Sequence, residues 1–159
     1  MGKHLKMFGV LSAVLLLVFG KAFGAEITQL TLAAGGTAGV YYPLSGAMAQ
    51  VVGQRTGVVN ITVQTTGATV ENLHLLAAGD VDLALGQSDT VHYAWNGTEL
   101  FKEPIKNFRA ITRLYPEPMQ AVTYADSPIN SVADLKGHKV SVGPPGGGNL
   151  IIVRQILEA

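Results

Sequence analysis

Twice in succession a short alternating apolar run passes into a turn of small polar residues and then into a helical pattern. This recurrence restricts the chain more than any other feature. Leu30 and Leu32 alternate with glutamine and threonine over 27–33, as in a half-buried strand, and glycines follow. Leu44, Ala47, Met48, Val51 and Val52 then recur at i, i+3, i+4, i+7 and i+8, which predicts an amphipathic helix over 43–55. Pro43 stands in its first turn, and Gly53 with Gly57 closes it. In the second unit Val59, Ile61 and Val63 alternate with Asn60, Thr62 and Gln64, the turn is Thr65-Thr66-Gly67, and the helix has the apolar stripe Val70, Leu73, Leu76 and Ala77. Gly79-Asp80 stops that helix before a third strand over 81–85, which ends at Gly86-Gln87-Ser88-Asp89. Strands alternating with helices form right-handed βαβ units, so the expected class is α/β with a parallel sheet.

Residues 90–107 are less regular and leave room for a short helix and a loop. Beyond them, 108–115 and 119–124 are predicted as strands on either side of Pro116-Glu117-Pro118, a stiff extended connector. The domain crossing is placed there, giving a first domain over 25–112 and the start of a second over 113–159. On the first of these strands Arg109 and Arg113 share a face with Ile111. A short helix within 126–136 and a strand over 139–142 follow, and Gly143-Pro144-Pro145-Gly146-Gly147-Gly148 opens a helix that runs from Asn149 to Ala159. That helix meets no glycine cap or polar tail. The expectation is an N-terminal fragment with an incomplete second domain, in which Leu150, Ile151, Val153 and Ile156 stand uncovered.

The first residues read as a secretory leader, with Lys3 and Lys6 before an apolar run from Met7 to Phe19 and a small-x-small pattern at Ala22-Phe23-Gly24. The run is shorter than the roughly 18 to 20 residues that span a bilayer. Cleavage after Gly24 leaves 135 of the 159 residues, with eight basic against eleven acidic side chains and a net charge of −3. A chain of that balance has no basic footprint for nucleic acid. The absence of cysteine excludes disulfides, thiolate metal sites and a lipid-modified cysteine. An exported, unanchored protein of the periplasm is expected.

The chemistry is concentrated in the turns. Gly35–Tyr42, Thr65–Thr69, Gln87–Asp89 and Gly143–Asn149 all fall between a strand and a helix, at the sheet edge where parallel sheets take ligands. Free helix N–H groups favour a carboxylate or phosphate there. Thr37, Thr65, Thr66 and Ser88 offer hydroxyls, and Tyr41 or Tyr42 can wall a pocket. Glycine and threonine at such junctions are also what caps and tight turns need. No lysine follows Gly39 as a P-loop requires, and Gly35-Gly36-Thr37-Ala38-Gly39 fits a dinucleotide fingerprint poorly. His74 and His92 lack a ligand-spaced carboxylate, and Ser45 sits in an ordinary helix start, so neither metal nor catalytic residues are assigned. Asp89 reads as a helix cap or site residue and Glu117 as a crossover residue.

Gly36-Thr37-Ala38-Gly39-Val40-Tyr41-Tyr42-Pro43-Leu44, Thr66-Gly67-Ala68-Thr69-Val70-Glu71-Asn72-Leu73, Ala84-Leu85-Gly86-Gln87-Ser88-Asp89 and Leu114-Tyr115-Pro116-Glu117 together resemble the TAXI family of solute receptors for TRAP transporters. Asp134-Leu135-Lys136-Gly137 is a weaker point of likeness shared by many periplasmic binding proteins. The resemblance implies a type II periplasmic-binding-protein-like clamshell of two α/β domains with parallel or mixed sheets, truncated here in the second. It implies no enzyme activity and no cofactor. A small carboxylate or amino acid, glutamate- or glutamine-like, would lie between the domains and pass to the membrane permease subunits of a TRAP transporter. Carried over by motif, the ligand-contact candidates are Gly36, Thr37, Gly39, Tyr41, Thr66, Gly67, Gln87, Ser88 and Asp89, with Gly147 and Asn149 on the second domain's side. The turn there reads Pro-Pro-Gly-Gly-Gly-Asn where the family pattern calls for serine or threonine. An exported enzyme on a related two-domain scaffold and a sensory ligand-binding domain are the alternatives.

Overall fold

The computed structural model describes residues 26–159; the predicted leader lies outside them. Within these residues three strands form one parallel sheet: β1 (Thr28–Ala33), β2 (Val59–Gln64) and β3 (Leu83–Ala84), in the order β2-β1-β3. Leu32 of β1 is in register with Val63 on one side and Leu83 on the other. Among the described residues four helices follow the strands and loops: α1 (Tyr41–Thr56), α2 (Thr69–Ala78), α3 (Ser88–Asn96) and α4 (Asn149–Glu158). Among the described residues no helix is long and apolar enough to cross a membrane.

The α/β alternation and the parallel pairing follow the periodicity of the chain, with β3 shorter than the expected 81–85. Val81 and Leu85 are buried at its two ends. The Asp82 carboxylate accepts from the Thr31 N–H at 2.8 Å, and the Asp82 N–H donates to the Thr31 carbonyl at 3.0 Å, pinning the short strand to β1. α1 ends at Gly57, whose φ of 65° is left-handed and whose N–H donates to the Gly53 carbonyl. Glycine takes that conformation without the clash a Cβ brings.

The packed face of α1 differs from the expected stripe. Ala47 and Val51 are exposed, Leu44, Met48 and Val52 are half-buried, and Ser45 is fully buried. Ser45, Ala49 and Gly53, four residues apart, form a line of small side chains that lets the helix lie close to β2; a Cβ on Gly53 would stand 3.5 Å from the Val59 carbonyl oxygen. Around α2 and α3 the core closes through Val70, Leu73, Ala94 and Phe101, with Val91, Tyr93, Leu100, Ile105 and Phe108 packed against it.

The predicted strands over 108–115, 119–124 and 139–142 do not form. These stretches run without regular structure, and Ile111, Val122 and Tyr124 are 81%, 90% and 85% exposed. Strand propensity is insufficient without a neighbouring strand to take the backbone hydrogen bonds, and none lies beside them among the described residues. A 3-10 turn at Val132–Leu135 is held by the Asp134 carboxylate, which accepts from the N–H groups of Asn130 and Ser131 and from the Ser131 hydroxyl. α4 is also better covered than expected. Ile151 is fully buried, Leu150 and Val153 are half-buried, and only Ile156 of the four stands open. Gln155 bonds the Tyr93 hydroxyl and Arg154 pairs with Glu99, seating the helix against the end of α3.

Candidate functional site

In the order β2-β1-β3 the chain passes from the central strand β1 to β2 on one side and then across to β3 on the other, so the turns after β1 and β3 lie side by side at the carboxyl edge where parallel sheets take ligands. Asn72 lies under that edge and is fully buried. Its amide nitrogen donates to the Ala34 carbonyl at 2.6 Å, just past β1, and to the Leu85 carbonyl at 2.8 Å, just past β3. Its amide oxygen accepts from the Thr66 hydroxyl at 2.5 Å, just past β2. One side chain in the first turn of α2 therefore ties together the turns after all three strands.

The start of α2 is closed from within the molecule. The N–H groups of Val70 and Glu71 donate to the Gly146 carbonyl at 2.8 and 3.4 Å, the Gly67 N–H donates to the Glu71 carboxylate at 2.7 Å, and the Ala68 N–H donates to the Thr66 hydroxyl at 3.1 Å. The dipole of α2 is thus directed at a backbone carbonyl from the glycine loop. Ala68 pays for this geometry with φ 80° and ψ −151°, a region that only glycine occupies without strain.

Above this base runs a line of polar side chains. Asn149 accepts from the Gln87 amide at 3.0 Å, the Gln87 N–H donates to the Thr69 hydroxyl at 3.2 Å, and the Tyr41 hydroxyl, with Thr69 beside it, donates to Glu117 at 2.7 Å. Tyr115 donates to the other oxygen of Glu117 at 3.1 Å. Burial first, and then the bond to Glu117 and its negative charge, push the Tyr41 hydroxyl well above the ordinary phenol range. Tyr115 is pushed up to about 12, by burial and then by the charge of Glu117. Both phenols therefore remain donors at neutral pH.

Of the residues singled out from sequence, Tyr41, Thr66, Gly67, Gln87, Gly147 and Asn149 are brought into this network or onto its base. Gly147 is buried in the loop and donates to the Pro144 carbonyl at 2.9 Å. Gly36, Thr37 and Gly39 form an exposed turn beside it, closed by the Gly39 N–H on the Gly36 carbonyl at 3.0 Å. Ser88 and Asp89 open α3. Asp89 makes no capping bond, since Gln87 holds the cap position, and Ser88 faces a shallow groove of about 360 Å³ bordered by Trp95, Phe108 and Arg109. Arg109 bonds the carbonyls of Lys106 and Phe108. Among the described residues no group of three or more His, Cys, Asp or Glu side chains is placed to hold a metal ion.

Asn72, Glu71, Tyr115 and Glu117 were not among the expected ligand contacts, and Thr69 and Gly146 entered only as members of the turns at the ligand-accepting edge. Asn72 had one legible signal: an amide between Val70 and Leu73, on the apolar side of its helix, requires buried partners. Glu117 stood in the Leu114-Tyr115-Pro116-Glu117 motif, but nothing local pointed to its partner Tyr41, 76 positions away. In comparison with known protein families, residues 32–159 match the model described as the NMT1-like family.

Proposed function

Because the chain belongs to the NMT1-like family, a family of solute-binding receptors, we propose that it grips a small carboxylate or amino acid at the carboxyl edge of its sheet. Family membership implies a small-molecule ligand and a membrane transporter as partner. In this reading the protein is a periplasmic, TAXI-type receptor, its leader is removed after export, and it hands the solute to a TRAP permease. The solute is held between two domains, the second beginning near the Pro116-Glu117-Pro118 connector.

The observation that carries the reading is the line Asn149, Gln87, Thr69, Tyr41 and Glu117, which joins residues before and after that connector across one ligand-accepting sheet edge. Polar groups converging beside small-residue turns suit a solute of a few polar groups. Calorimetric titration of the full-length protein with acidic amino acids and with C4 and C5 carboxylates tests the proposal. Saturable binding of at least one supports it, and absence of binding to every one overturns it.

A further inference from the structure

Glu117 is anchored at both carboxylate oxygens, by Tyr41 at 2.7 Å and by Tyr115 at 3.1 Å. An ionised carboxylate offers about four acceptor positions, so roughly two remain open. The flanking prolines stiffen the backbone on which it sits. The phenol protons are committed to Glu117, so an approaching solute meets acceptors here: the free lone pairs of the carboxylate and those of the two hydroxyls.

Among the described residues no lysine or arginine forms an ion pair with Glu117. Arg109 is held on backbone carbonyls, Lys106 lies over the Trp95 ring at 4.3 Å, and Arg154 pairs with Glu99. A solute carboxylate placed beside Glu117 would face like charge, whereas a protonated amine would form a charge-assisted hydrogen bond. We infer that Glu117 is a specificity-determining residue of the proposed site, accepting a protonated nitrogen of the solute and so favouring amino acids over carboxylates that lack an amine. The inference rests on the receptor reading above and narrows its ligand class.

L-glutamate and glutarate share a carbon skeleton and differ by the ammonium group, which makes them the probes. Calorimetry on full-length protein is expected to show glutamate preferred by at least tenfold. Glu117→Gln, which keeps an acceptor but removes the charge, is expected to reduce that preference at least tenfold, with glutarate bound equally or more tightly. Tyr115→Phe, which keeps the charge, is expected to retain the preference, and it preserves the test should Glu117→Gln fail to fold. A wild-type protein without preference for glutamate, or a preference unchanged in Glu117→Gln, overturns the role of Glu117 and leaves the receptor reading standing. Loss of preference in Tyr115→Phe with Glu117 intact also overturns it. Failure of the wild type to bind either probe or any other small carboxylate removes both.

Discussion

The Gly146 carbonyl oxygen accepts the backbone N–H of Val70 at 2.8 Å. The glycine-rich loop thereby caps the helix whose start was expected to face a ligand, and a Cβ at Gly146 would stand 3.1 Å from the Gly67 carbonyl oxygen and 3.2 Å from the Glu71 Cβ. The two turns are in backbone contact, so any residue larger than glycine must push them apart.

Gly148 provides the sharper test of that seam. Its φ of −66° suits any residue, but a Cβ would overlap the Gln87 amide oxygen and the Thr90 hydroxyl. Gly148→Ala should cost about 1 to 3 kcal/mol through overpacking. Hydrogen exchange should show faster opening of α4 than of the sheet; unchanged protection of 149–158 would contradict the packing described.

Asn72→Ala removes the partner of two buried carbonyls and of the Thr66 hydroxyl. With each orphaned buried group costing about 1 to 3 kcal/mol, a loss of about 3 kcal/mol is expected in chemical denaturation. Asn72→Asp should be at least as damaging, because a carboxylate would face two carbonyl oxygens.

Two substitutions should stabilise. The Ser45 hydroxyl is fully buried without a hydrogen-bond partner among the described residues, so Ser45→Ala should gain about 1 kcal/mol. Ala68→Gly should gain about 1 to 2 kcal/mol by relieving its strained backbone at φ 80° and ψ −151°. Melting temperatures below wild type would refute either assignment.

Alkaline pH should loosen the Tyr41–Glu117–Tyr115 cluster. Tyr115 is raised from 10.0 to about 12, and Tyr41 is raised in the same direction. Above pH 10 the unfolded chain gives up phenol protons that the folded chain retains, so this contribution is whole below pH 10 and is lost as pH rises through about 12. Thermal melts across that window should fall more steeply for wild type than for Glu117→Gln.

Thr37→Ala and Tyr41→Phe should each weaken solute binding by about 0.5 to 1.5 kcal/mol, the worth of a hydroxyl hydrogen bond. Calorimetry reads the loss, and circular dichroism checks that the fold persists. Unaltered affinity in both would remove these hydroxyls from the site.

The order of strands and helices, the parallel sheet and the position of the polar turns at its edge were legible in the sequence, because periodicity and turn chemistry are local properties. The β1, α1, β2 and α2 segments each carry their own pattern within a few turns of chain. The buried face of α1 was less legible, since small residues packing close to β2 outweighed the larger apolar stripe. The extended stretches after Phe108 had strand-like residues, but pairing depends on a neighbour that composition does not supply. Only the tertiary structure brought Asn72 beneath three turns, laid Gly146 on the start of α2 and joined Tyr41 to Glu117. These contacts link residues distant along the chain, and their geometry is set by how the crossovers fold back on the sheet, which no local pattern encodes.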